Sequence, residues 1–132
     1  MSLTALIVAV RRARWAREEL PSQERRLDRN INKVDELVAA FDGESLSAKG
    51  EIIRWQIEVE DAARQVILLT EEVAAARSSF IAAEEVGPLM SEIPSLVHED
   101  ARQLSFFIED AALSAQAKAA YSQHFYTGRV PW

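Results

Sequence analysis

Nine apolar residues stand at alternating steps of three and four along one stretch of the chain: Ile52, Trp55, Val59, Ala62, Val66, Leu69, Val73, Ala76 and Phe80. Only about half of the residues are hydrophobic (48%), so an unbroken run of nine is not a matter of composition. A seven-residue repeat held this long predicts a helix whose apolar seam packs left-handedly against partner helices. The expected helix covers residues 47–86, and at 1.5 Å per residue it is a rod of roughly 60 Å. Ile53, Ile57, Ile67 and Leu68 stand beside the seam. They are read here as widening it into a stripe that serves two neighbours.

Matching arms flank this rod. Leu3, Leu6, Val10, Ala13 and Leu20 follow helical spacing, with Arg17 as the exception, and Leu27, Ile31, Val34, Val38 and Phe41 continue it. Pro21 interrupts this first arm. Proline lacks an amide hydrogen and disfavours helix at the residue before it, so the arm is expected to be kinked there or split in two. Gly43 is suited to the left-handed turn that closes a helix, and Ser47 is the expected cap of the next one. After Gly87-Pro88 and Pro94, Ser95 can cap a last helix whose seam is Val97, Ala101, Leu104, Ile108, Ala111 and Ala115. Residues 3–42, 47–86 and 95–126 are thus three arms with short connectors, and short connectors make sequential helices antiparallel neighbours. The predicted fold is all-α. It is an elongated antiparallel three-helix bundle with coiled-coil-like packing, or four helices if Pro21 splits the first arm. Residues 1–126 form one domain, and residues 127–132 a short aromatic tail.

Charge is unevenly placed. Residues 1–33 carry eight basic and four acidic side chains, a net +4, which leaves −10 for the rest of a chain whose total is −6. The string RRARWAR at residues 11–17 could grip phosphates and stack a base, or pair with the chain's own acidic helices or with another subunit. The acidic remainder favours pairing with protein, because it repels nucleic acid at long range.

No motif for catalysis or cofactor binding is present. Cysteine is absent, which removes disulfides, thiolate chemistry and Cys-based metal sites. A di-metal bundle site would need Glu-x-x-His, but Ser95 and Tyr121 stand three residues before His98 and His124. The carboxylate pairs, among them Glu71-Glu72, Glu84-Glu85 and Glu109-Asp110, point about 100° apart on a helix and read as solvated faces. There is no Gly-rich phosphate loop, GxSxG or HExxH. The apolar run at residues 3–10 is too short for a membrane span, and its arginines follow it instead of preceding it as in a secretory signal. A cytoplasmic protein is expected, with a virion as a further setting.

These observations predict a non-enzymatic structural or assembly subunit with no cofactor, metal or small-molecule substrate. It would work through helix–helix contacts with itself or a protein partner, in a phage particle or bacterial complex. The alternatives are a small acidic inhibitor or immunity-type protein, and a nucleic-acid-binding module using the Arg-rich first third. The candidate partner-binding residues are Arg11, Arg12, Arg14, Trp15, Arg25 and Arg29 on the first arm. Phe125, Tyr126 and Trp132 join them near the end of the chain, because aromatic residues anchor interfaces. Trp55, on the long seam, is expected in the core.

Overall fold

The computed structural model describes residues 3–85, 113–127 and 129–132. Three helices are defined: α1 (Leu3–Ala39, 37 residues), α2 (Leu46–Glu85, 40 residues) and α3 (Leu113–Tyr126, 14 residues). There is no strand among the described residues. The architecture is the expected all-α one: α2 is the central rod and packs against both α1 and α3. Four polar contacts set the register. Arg26 on α1 meets Glu58 and Asp61 on α2, whereas Asp28 and Asp35 on α1 meet Lys118 and Tyr126 on α3. Residue numbers rise together between α1 and α3, so those two run parallel and both run antiparallel to α2. The expected third arm began at residue 95; residues 95–112, with His98 and most of that arm's seam, lie outside the described residues.

The heptad seam is the core. Ile52, Val59, Ala62, Val66, Leu69 and Val73 are buried, and Trp55 is half-buried against the core with the Arg54 guanidinium 5.5 Å from its ring centre. On α1, Ala13, Leu20, Leu27 and Val34 stand seven residues apart and are all buried. Burying a Leu or Val side chain is worth roughly 1.5–3 kcal/mol, so these positions carry most of the packing energy.

The other half of the α1 seam differs from the sequence expectation. Ile31 is only half-buried and Val38 is 37% exposed, while Ala16 and Asn30 face inward. A buried amide is tolerated only with partners, and Asn30 Nδ2 donates to the Glu58 carbonyl oxygen at 3.3 Å. The α2 stripe is also widened by other residues than expected. Ala63 and Thr70 are buried; of the four residues expected to widen it, Ile67 is half-buried against the core, but Ile53, Ile57 and Leu68 are exposed. The Thr70 hydroxyl donates to the Ile67 carbonyl oxygen at 2.8 Å, which satisfies it inside the bundle. On α3, Ala115, Ala119, Ser122 and Tyr126 are the buried positions, and three small side chains let α3 approach closely.

Pro21 does not split the first arm. Helix α1 runs through it without interruption. The proline is exposed, so its ring disturbs the solvent side and leaves the seam intact; its missing amide hydrogen is the one that would have bonded the Arg17 carbonyl. The α1–α2 connection is built from a turn at Asp42. Its carboxylate accepts the backbone N–H groups of Glu44 at 2.9 Å and Ser45 at 3.0 Å. Gly43 takes φ +90°, as its position required. The cap of α2 is Ser45 and not Ser47: the Ser45 Oγ accepts the Ala48 N–H at 3.2 Å.

Candidate interaction surface

The described outer surface has a basic side, an acidic side and two apolar clusters. Positions 11, 25 and 29 fall on nearly one line along α1 at about 100° per residue, opposite the buried stripe. Arg11, Arg12, Arg25 and Arg29 are all exposed, and among the described residues none of them makes an ion pair. Arg14 is engaged locally, its Nε donating to Glu18 at 3.3 Å. The Arg26 guanidinium turns inward instead, reaching Asp61 at 2.8 Å and Glu58 at 3.3 Å. Its hydrogen bond to Asp61 holds its proton more tightly than usual, against a smaller opposing effect of burial.

Trp15 is 57% exposed and Leu68 49%. Together they border a cleft of about 430 Å³ between α1 and α2, whose walls include Glu71, Glu72 and Ala75. The antiparallel register brings Arg11 and Arg12 to the level of Glu72 and Ala75. The cleft is walled by Trp15 from α1 and by Gln65, Leu68, Leu69, Glu71, Glu72 and Ala75 from α2. Sequence reading singled out Trp15 and its arginines but missed Leu68, Glu71 and Glu72. They lie more than fifty residues away, and only the register of the hairpin brings them to Trp15.

The second cluster lies near the α1–α2 turn. Ile53 (43% exposed) and Ile57 (60%) border a cleft of about 260 Å³ with Tyr126, Thr127 and Val130. The aromatic residues proposed for this end have different fates. Tyr126 is buried, and its hydroxyl donates to Asp35 at 2.9 Å. Burial, reinforced by that carboxylate, raises the phenol's pKa well above its ordinary value. Phe125 is partly exposed, stacked on Tyr121 at 5.8 Å, with the Arg129 guanidinium 5.4 Å from its ring centre. Trp132 folds back onto the bundle: its ring lies 5.4 Å from that of Phe41, with the Lys49 ammonium 5.5 Å from its centre. Gln56 on α2 donates to the Arg129 carbonyl oxygen and ties the tail down. The tail is thus joined to the α1–α2 connection and to α2, and Trp132 still exposes 43% of its surface.

A polar cluster joins α1 to α3. Lys118 donates to Asp28, and Glu24 stands near both. Burial pushes the Glu24 carboxyl above its usual range; Lys118 pulls it partway back and Asp28 adds to the rise.

No three His, Asp or Glu side chains among the described residues are grouped so as to hold a metal ion. His124 is exposed in the last turn of α3. No helix of the described residues is long and apolar enough to cross a membrane. Comparison with known proteins leaves this surface to be interpreted from its own chemistry, because no family model, curated protein or solved structure matches the chain.

Proposed function

We propose that the protein is a non-enzymatic assembly subunit that works through protein–protein contacts on the outer faces of its helices. The observation that carries this reading is the exposure of Ile53, Ile57 and Leu68 along the outside of α2, although the same helix buries its whole described seam apart from Trp55. Single exposed apolar residues are ordinary on protein surfaces. Here they are grouped, each group borders a cleft, and each includes residues from a second element, Trp15 in one case and Val130 in the other. Grouped exposed apolar residues with a polar rim mark interaction sites.

Light scattering combined with pull-down from a native host extract tests it. The full chain is expected to form a complex, with itself or a host protein, that the Ile53→Asp/Ile57→Asp variant loses. A chain that stays monomeric and retains no partner would sink the reading.

A second reading is favoured by the exposed arginines of α1. Arg11 to Arg29 spans about 27 Å of helix at 1.5 Å per residue, enough to follow several phosphates of a nucleic acid. Binding to random-sequence DNA or RNA that weakens steeply with salt, and is lost in Arg25→Ala/Arg29→Ala, would support it.

A further inference from the structure

We infer that the outer line of α2 is a self-pairing seam, and that its occupant is α2 of a second copy of this chain, running antiparallel to it. The inference rests on the assembly reading and names the partner. Positions 50, 54, 57, 61, 64, 68, 71 and 75 step by four and three, the spacing of a second heptad seam on the same helix. At 100° per residue they fall within about 100° of arc, on the side away from the buried seam. All are exposed except Asp61, which is half-buried.

The order of side chains along this line singles out a second copy. It reads glycine, arginine, isoleucine, aspartate, arginine, leucine, glutamate, alanine. Laid against itself in the opposite direction, each residue meets a complement. Gly50 faces the partner subunit's Ala75, Arg54 the partner subunit's Glu71, Ile57 the partner subunit's Leu68, and Asp61 the partner subunit's Arg64. A two-fold axis across the middle of the helix repeats the four pairings in reverse, as an isologous dimer requires. The contact then runs along about 38 Å of helix. A parallel pairing in register would instead set Arg54, Asp61, Arg64 and Glu71 each against its own charge.

Gly50 adds an independent observation. Glycine weakens a helix interior relative to alanine. Its φ is not positive, and a Cβ placed there would meet nothing within 4 Å. Neither the backbone nor the packing of one chain calls for glycine at this position. A second helix does, because two small residues face to face let the backbones approach closely. The charged members can serve the contact as well. Arg54 and Arg64 pair with Glu51 at 3.6 Å and Glu60 at 3.3 Å on their own helix. Such exposed pairs hold a guanidinium weakly, and its five N–H donors can reach a second carboxylate. Arg26 donates to Oδ2 of Asp61, so Oδ1 remains to accept from the partner subunit's Arg64. Glu71 makes no ion pair among the described residues.

Charge exchange and cross-linking test this on the full chain. Sedimentation equilibrium of the wild type is expected to show a monomer–dimer equilibrium. Arg54→Glu sets acid against acid at both ends of the contact, and Glu71→Arg sets base against base. Each alone is expected to weaken dimerisation by about tenfold. Both residues are exposed and neither belongs to the core, so the fold of the single chain is kept. Mixed in equal amounts, the two variants oppose unlike charges at both ends and are expected to dimerise as the wild type does. The chain has no cysteine, so Gly50→Cys and Ala75→Cys report the register without background. Oxidised together they are expected to give the mixed disulfide, and each alone none. A wild type that remains monomeric at millimolar concentration overturns the inference. So do charge variants that fail to rescue each other, or disulfides that join identical variants in place of the mixed pair. A monomeric chain that still captures a host protein, and loses it in Ile53→Asp/Ile57→Asp, overturns the self-pairing and keeps the assembly reading.

Discussion

The hydroxyl of Tyr126, on α3, donates to the carboxylate of Asp35, on α1, at 2.9 Å. The link joins two helices that otherwise meet mainly through α2. Tyr126→Phe keeps the ring and removes the bond. Asp35 is exposed and recovers water in its place, so the loss should be that of one ordinary hydrogen bond, about 0.5–1.5 kcal/mol. Urea denaturation should show a lower midpoint with unchanged slope.

Alkaline pH should reveal the same bond differently. The folded-state pKa of Tyr126 lies above its ordinary value of 10.0. A group raised in this way contributes its full stability below the unfolded pKa and loses it as pH rises through the folded one. Above pH 10 the unfolded tyrosine ionises while the folded one holds its proton, which favours unfolding of the wild type. The stability gap between wild type and Tyr126→Phe should therefore narrow above about pH 10. A constant gap up to pH 11 would refute the assignment.

Glu24 gives a prediction of opposite direction. Its folded pKa is raised, mainly by burial. At neutral pH the carboxylate is charged in both states, and the folded state bears the cost of partial desolvation. Glu24→Gln is expected to raise the melting temperature at pH 7, with a gain held below about 1 kcal/mol by solvent screening. At pH 3 glutamate is protonated in both states, and the difference should vanish. A variant less stable than wild type at pH 7 would mean that attraction to Lys118 outweighs burial.

Arg26 should behave as a shared partner. It reaches both Glu58 and Asp61 from a partly exposed position, and the carbonyl of Glu58 also receives Asn30. Exposed pairs contribute 0.2–1 kcal/mol, so Arg26→Ala should cost about 1 kcal/mol and lose most of that cost in high salt. In a double-mutant cycle, coupling of Arg26 to Asp61 should exceed coupling to Glu58, following the shorter distance. Asn30→Leu is expected to cost about 1 kcal/mol or more at any salt, because it leaves a carbonyl of α2 without that bond.

The heptad of α2 was legible because every seam position is apolar and the repeat is long. Its described members, from Ile52 to Val73, are buried or half-buried as the spacing implied. On α1 the seam was read correctly at Val10, Ala13, Leu20, Leu27 and Val34. The alternate positions hold Arg17 and Glu24, so the pattern there does not say which residue turns inward. Asn30 was hidden for that reason: an asparagine faces a core only when a specific carbonyl awaits it, and that carbonyl belongs to another helix. Ile53, Ile57 and Leu68 were misplaced for a related reason. Periodicity counts the apolar residues on a helix but does not say on which side a neighbour stands. Ser45 and Ser47 were equally good caps by residue type; the turn at Asp42 decided between them by presenting Ser45 at the end of its loop. The rims of the Trp15 cleft come from α1 and α2, and no local pattern could join them.

Pro21 offers the sharpest test of α1 as one continuous helix. A proline inside a helix costs about 3 kcal/mol relative to alanine, through a lost hydrogen bond and a clash with the preceding turn. It recovers up to about 1 kcal/mol by restricting the unfolded chain. The residue is exposed and packs no part of the described core, so nothing there offsets the remainder. Pro21→Ala should therefore stabilise the protein by about 2 kcal/mol, with more helical signal in circular dichroism and a later denaturation midpoint. If α1 were instead two helices meeting at residue 21, the proline would sit in a first turn, where it is well tolerated. Alanine would then be neutral or mildly destabilising, and that outcome would contradict a helix running unbroken from Leu3 to Ala39.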